Sequence, residues 1–304
     1  RWNGASWRVV TPPGVAVGEQ LRDIWCVGSS ECWAVGTGST VLKWDGSIWA
    51  SVPANLLSIT NDLLSIQMLS SINGWAVGCD VAPNPGACNN PRIIRWNGLA
   101  WSLVTAPAGA GGLRSVHFLS TSDGWAVGDP GIATVPDGTG NQATIIHWDG
   151  VQWRRVPGPN VGTGGLLAKV FMVSANDGWA VGENVEADPD QSVIARWNGV
   201  TWNVISTPPI PPTLSMPLNS LYMVSSLDGW AVGGYGYDEF YAYTSNRGAD
   251  GIILRYGPDT VIVSTTGTVT STVSTTTTET ATTTTHVTSE TTTTTPPGVW
   301  GIPG

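Results

Sequence analysis

The chain has 304 residues, with 13 Lys and Arg against 22 Asp and Glu and a net charge of −9. Charged residues make up 12%, about half the ~25% of an ordinary soluble domain, while Gly (38), Pro (21) and Trp (17) are abundant. Such an acidic surface cannot neutralise phosphates, which excludes nucleic-acid binding, and no run of roughly 18 apolar residues exists to span a bilayer. Nothing at the start reads as a leader, so a mature or trimmed chain is expected.

The chain opens on Arg1-Trp-Asn-Gly-Ala-Ser-Trp7, and this basic-Trp-Asn/Asp-Gly-x-x-Trp block returns at Trp44/Trp49, Trp96/Trp101, Trp148/Trp153 and Trp197/Trp202. A second block, Trp-Ala-Val-Gly, begins at Trp33, Trp75, Trp125, Trp179 and Trp230, at spacings of 42, 50, 54 and 51. One full unit runs Leu113-Arg-Ser-Val-His-Phe-Leu-Ser, Ser122-Asp-Gly-Trp-Ala-Val-Gly, Thr144-Ile-Ile-His-Trp and Trp153-Arg-Arg-Val. Each piece is short, β-branched or aromatic, and bounded by Gly, Asn or Asp, which predicts strands joined by tight hairpins. Four antiparallel strands in ~50 residues match the period of a propeller blade.

Counting motifs predicts an all-β, five-bladed β-propeller over 1–258 and an extended Thr-rich tail over 259–304. The last third strand, Gly251-Ile-Ile-Leu-Arg-Tyr256, is followed by no Trp-x-x-Val strand, whereas Ser6-Trp-Arg-Val-Val10 precedes the first inner strand. The N-terminal strand is therefore expected to close the ring, which would remove an exposed sheet edge.

The unit Leu-x-Ser-Val-x-Phe…Asp-Gly-Trp-Ala-Val-Gly…Ile-Ile…Gly-x-x-Trp resembles the repeats of photosystem II assembly-factor-like and BNR/Asp-box propellers, over residues 1–257. That resemblance implies a propeller and leaves function open, because such scaffolds serve as assembly factors, lectins, adhesins and hydrolases.

Connections between second and third strands vary most: 37–43, 79–95, 129–147, 183–196 and 234–255 hold 7, 17, 19, 14 and 22 residues. Variable loops on a rigid scaffold are where binding concentrates. The last carries Tyr235, Tyr237, Phe240, Tyr241 and Tyr243, rings that would stack on sugars, anchor a protein partner, or simply fold the loop onto the scaffold.

Three pairings of the four cysteines are possible. The local one, Cys26 with Cys32 across a hairpin and Cys79 with Cys88 around a loop, fits both spacings. It implies an oxidising, extracellular setting. A four-Cys metal site is disfavoured because neither pair is Cys-x-x-Cys. Glu183, Glu186, Asp188 and Asp190 form the densest acidic loop, but their spacing fits no calcium motif and suits solvated charges. The Asp before Gly-Trp (Asp123, Asp177, Asp228) is read as a turn former. Of the histidines, His117 lies on a first strand, His147 takes a third-strand basic position and His286 falls in the tail; the sequence gives neither of the first two a Ser, Cys or Asp partner. No catalytic residue, metal or cofactor is expected.

From Thr260 to Thr295, 36 residues include 21 Thr and 4 Ser, and no Lys or Arg follows Arg255. Val261, Val263, Val269 and Val273 share one parity, a strand pattern, while the later Thr runs read as an O-glycosylated stalk. With Pro296-Pro-Gly-Val-Trp-Gly-Ile-Pro-Gly304, this tail resembles the stalks of archaeal cell-surface proteins. A neighbouring copy could accept Val261–Val273 as an added strand, giving a head-to-tail homo-oligomer. The leading expectation is a secreted, non-enzymatic subunit of an extracellular filament or surface layer. A surface lectin or adhesin is the second expectation. A polysaccharide-active hydrolase using Glu183, Asp188 or Glu239 is the third.

Overall fold

The computed structural model of the protein describes residues 1–12, 15, 18–53, 61–80, 88, 90–131, 142–162, 164–184, 191–206, 217–234 and 251–257. These residues build five antiparallel sheets. The first holds β1 (Leu21–Gly28), β2 (Glu31–Gly36), β3 (Val41–Trp44) and β4 (Trp49–Ser51). The second holds β5 (Asn61–Ser70), β6 (Asn73–Asp80), β7 (Pro91–Trp96) and β8 (Trp101–Leu103). The third holds β9 (Leu113–Ser120), β10 (Asp123–Pro130), β11 (Ala143–Trp148) and β12 (Trp153–Arg155). The fourth holds β13 (Leu166–Ser174), β14 (Asp177–Asn184), β15 (Gln191–Trp197) and β16 (Trp202–Val204). The fifth has three strands, β17 (Leu218–Ser225), β18 (Asp228–Gly234) and β19 (Gly251–Tyr256). Each sheet meanders in sequence order, and the first strands lie side by side from β1 through β5, β9 and β13 to β17. That is the blade order of a propeller.

The repeated motif has a steric reason. β6 pairs with β5 on one side and β7 on the other, which places Trp75-Ala-Val in the buried middle of its sheet. Its final glycine lies where the first strand slips register by one residue, between Leu63 and Ser65. A Cβ on Gly78 would overlap the carbonyl oxygen of Asp62; Gly128, Gly182 and Gly233 meet Gly112, Leu166 and Pro217 in the same way. The glycine before each tryptophan leaves space for a large side chain across the hairpin. Gly74, Gly178 and Gly229 face Met68, Met172 and Met223, and Gly124 faces the Phe118 ring. In the first sheet that facing pair is Cys26 and Cys32, joined as a disulfide.

The third-to-fourth-strand hairpins close locally. Asn97 Oδ1 accepts the N–H groups of Leu99 and Ala100, and Asp149 Oδ1 those of Val151 and Gln152. The next residue, Gly98 or Gly150, sits at φ 94 or 95, a left-handed conformation that glycine adopts without strain. Asp45, Asn198 and Asn3 make the same turn.

The core is four clusters, each lying between consecutive sheets. The two ends of the stack are bare. In β1, Leu21, Ile24, Trp25 and Val27 are exposed, whereas Leu63, Ile66 and Met68 of β5 are buried. On the fifth sheet Tyr222, Val224, Trp230, Val232 and Ile253 are exposed.

The expected ring closure is not seen among the described residues. Trp7 does not pair with β19; it bridges Trp2, and Arg1 lies over Trp44 at 5.1 Å, which puts the N-terminal hairpin beside the first sheet. A loop of a few residues closes at far lower entropic cost than one joining opposite ends of the chain. The second disulfide, Cys79–Cys88, is present. No helix among the described residues is long and apolar enough to cross a membrane.

Candidate functional site

The seams between sheets explain most of the repeat. Along the inner strands, side chains of one sheet serve the backbone of the next. Asp23 Oδ2 accepts the Ile66 N–H at 2.9 Å and the Ser65 hydroxyl at 3.0 Å. Ser65 Oγ accepts the Val116 N–H, and Ser115 Oγ the Val170 N–H, each at 3.3 Å. One turn of pleat away, Gln67 accepts the Phe118 N–H at 2.6 Å and donates to its carbonyl at 3.0 Å. His117 holds the matching place in the third sheet, where its Nδ1 accepts the Met172 N–H at 3.2 Å.

That hydrogen bond requires a neutral imidazole. Burial, and then the nearby charge of Lys169, lower the His117 pKa to about 4, against the opposing pull of Asp123. The unfolded chain, with its ordinary histidine near 6.5, therefore binds more protons between pH 4 and 6.5, and stability falls as pH drops through that window. At pH 5 the loss relative to pH 7 is expected to be roughly 2 kcal/mol by urea melts. His117→Gln, which copies Gln67, is expected to flatten this dependence; an unchanged slope would show that another group titrates.

On the outer side of each seam a tryptophan of the Trp-Ala-Val-Gly strand receives two rings from the hairpin of the next sheet. Trp33 meets Trp96 at 4.8 Å and Trp101 at 5.6 Å. Trp75 meets Trp148 at 4.8 Å and Trp153 at 5.7 Å, and Trp125 meets Trp197 at 4.9 Å and Trp202 at 5.7 Å. Trp179 meets Tyr256 at 4.7 Å. A third-strand cation lies over four of the five host rings, Lys43 over Trp33, Arg95 over Trp75, Arg196 over Trp179 and Arg255 over Trp230, and the His147 ring lies over Trp125 at 4.4 Å.

The Asp before Gly-Trp does more than shape a turn. Asp177 pairs with Arg196 at 2.9 Å, Asp228 with Arg255 at 3.3 Å, and Asp123 with His147 at 2.9 Å; Glu31 and Lys43 pair in the same register at 3.1 Å. These acids hold the cation over the tryptophan. His147 thus has an Asp partner the sequence reading missed. Each acid lies two residues before the tryptophan that faces its basic partner across the hairpin, a signal that aligning the repeats would have shown. It belongs to this column of contacts to acidic side chains, since His147 fills the place of Lys43 and Arg196.

The last host is different. Trp33, Trp75, Trp125 and Trp179 are 0–3% exposed, whereas Trp230 is 38% exposed. A groove of about 390 Å³ opens on the fourth sheet, lined by Asp177, Arg196, Trp197, Asn198, Asn203 and Ile205, where Arg196 also reaches the Tyr256 hydroxyl of the fifth sheet. A second, of about 360 Å³, lies at the first-sheet end between Val10, Pro12, Leu21, Ile24 and Trp49. These ends carry the exposed aromatic surface that the rest of the molecule buries, which makes them the candidate site.

Tyr235, Tyr237, Phe240, Tyr241, Tyr243, Glu239, Glu186, Asp188, Asp190, His286, Val261, Val263, Val269 and Val273 lie outside the described residues. Glu183 is on β14, opposite Leu166 and Ser192. On the variable-loop side, Arg114 holds Asp129 through two bonds of 2.9 and 2.8 Å. Among the described residues no group of three or more His, Cys, Asp or Glu could hold a metal ion.

No protein family and no curated protein matches the chain. Solved structures similar to it are propellers at low identity. YCF48 bound to D1 peptide is 14% identical, with 81% of each chain covered and a TM-score of 0.46. The WD40 β-propeller domain of Doa1 is 16% identical, covering 71% of this chain and 62% of that one, TM-score 0.48. YCF48 from Cyanidioschyzon merolae is 12% identical, covering 82% and 87%, TM-score 0.40. The class of protein is set here by the five sheets themselves.

Proposed function

We propose that the protein is a secreted, non-enzymatic structural subunit of an extracellular filament or surface layer: propeller sheets over 1–258 and a linking tail over 259–304. The observation that carries this reading is the pair of bare aromatic ends on an otherwise tightly buried stack. Exposed apolar surface of that kind marks contacts with other chains. The disulfides Cys26–Cys32 and Cys79–Cys88 support an oxidising compartment. The alternating residues Val261, Val263, Val269 and Val273 supply strand-forming chain that a neighbour could accept, and the Thr runs supply sites for O-glycans. Closure of five sheets into a ring by residues 6–10 is the competing fate of the same ends. Deleting residues 259–304 is expected to leave a folded propeller and to shorten or abolish fibres seen by electron microscopy. Fibres of unchanged length would remove the tail from the assembly.

A further inference from the structure

Four of the five sheets end in a short fourth strand, and its register is the same each time. The last tryptophan of the third strand pairs with the tryptophan five residues on: Trp44 with Trp49, Trp96 with Trp101, Trp148 with Trp153 and Trp197 with Trp202. Three residues further, the N–H of Val52, Val104, Val156 or Ile205 donates to the carbonyl of Val41, Ile93, Ile145 or Ile194. The fifth sheet has β18 on one side of β19 and, among the described residues, no strand on the other. A groove marks the place for one. Val52, Val104 and Val156 pack against the clusters that hold Trp101, Trp153 and Trp202 of the next sheet, and Ile205 packs against the corresponding cluster of the fifth. Ile205 and Arg196 also line the groove of about 390 Å³, which puts it where a fourth strand on β19 would begin.

We infer that Val261–Val263 of the same chain is the fourth strand of the fifth sheet, pairing Tyr256 with Val261, Arg255 with Ile262 and Leu254 with Val263. The spacing carries it. Val261 stands five residues after Tyr256, as Trp202 stands after Trp197, and Ser264 then meets the Ile253 carbonyl as Ile205 meets that of Ile194. Val261-Ile-Val263 is also the one run of three β-branched apolar residues after Tyr256, the composition a strand favours. Val261 faces the groove beside Ile205, in the place that Trp202 takes in the fourth sheet. Only the turn differs. Pro258 stands where Gly46, Gly98, Gly150 and Gly199 have φ of 92–101, a conformation closed to proline. Pro258-Asp259 instead suits the two central positions of a type I turn, the usual basis of a four-residue hairpin loop, here 257–260. Residues 6–10 are held elsewhere: Trp7 bridges Trp2, and Val10 and Pro12 line a groove with Leu21 and Trp49 of the first sheet. Closing a four-residue loop also costs less entropy than carrying the strand to a neighbour. The inference goes beyond the assembly reading and does not depend on it, because the chain left to reach a neighbour begins after Ser264 and keeps Val269 and Val273.

The test is amide hydrogen exchange of the full chain, followed by mass spectrometry at several protein concentrations. Residues 261–264 are expected to exchange at least about tenfold more slowly than residues 266–295, at every concentration including those where the protein is monomeric by sedimentation. Val261→Asp is expected to remove that protection, while Val269→Asp leaves it unchanged. Continued protection of β9 through β14 in both variants confirms that they fold. Exchange of 261–264 as fast as that of 266–295 overturns the inference. Protection that Val261→Asp does not touch overturns it as well, since the segment would then be held by other contacts. Protection that appears only as the protein associates overturns it in favour of a neighbour's sheet, and leaves the assembly reading standing.

Discussion

Trp75→Ala is expected to cost about 4 kcal/mol of folding stability, within the roughly 3–5 kcal/mol lost when a buried aromatic is truncated. Trp75 is fully buried, with Trp148 and Trp153 against it, Phe118 stacked at 5.3 Å and 17°, and Arg95 over its face. No single neighbour can move into the space, because Trp148 and Trp153 are held by one hairpin of the next sheet and Phe118 by that sheet's first strand. In urea melts the midpoint should fall with little change in slope, since the same surface is exposed on unfolding. Trp230→Ala, measured where the protein is dilute, is expected to cost about 1 kcal/mol or less, because that side chain is already partly in water. Equal losses at the two positions would mean that Trp230 has a partner ring in the isolated subunit.

Gly128→Ala is expected to destabilise by about 3 kcal/mol, the upper part of the range for forcing extra atoms into a packed site. Its Cβ would strike the main-chain oxygen of Gly112, and a backbone atom held by two strands cannot swing aside as a side-chain tip can. Gly150→Ala serves as the comparison. There the conflict is a φ of 95 and a side-chain contact with Ser122, and the expected loss is nearer 1 kcal/mol. A loss at Gly128 no larger than at Gly150 would show that the first strand yields, and that the motif glycine is not set by this contact.

Much of this was legible in the sequence because the code is local and repeated. The Asn-Gly and Asp-Gly steps at Asn97, Asp149 and Asn198 announce hairpins through side-chain oxygens that reach N–H groups two and three residues on. The Cys26/Cys32 pairing was legible for the same reason, since alignment puts the two residues opposite each other across one hairpin, where Phe118 faces Gly124. The role of Asp123, Asp177 and Asp228 was misjudged as turn chemistry. Each lies on the second strand but takes its partner from the third, about twenty residues on.

The sequence by itself determined strand content, hairpin positions, five repeats and the disulfide partners, all interactions between residues close in the chain. Only the tertiary structure decided what covers what: that Ser65, Gln67, Ser115 and His117 serve the next sheet's backbone, that the pairs Trp96–Trp101, Trp148–Trp153 and Trp197–Trp202 each belong to the previous sheet's host, and that Trp230 and the pairs Trp2–Trp7 and Trp44–Trp49 have no such partner among the described residues. A repeat gives every unit the same motif, so the motif cannot tell an inner unit from a terminal one. That difference exists only once the sheets are stacked and one face at each end has no neighbour.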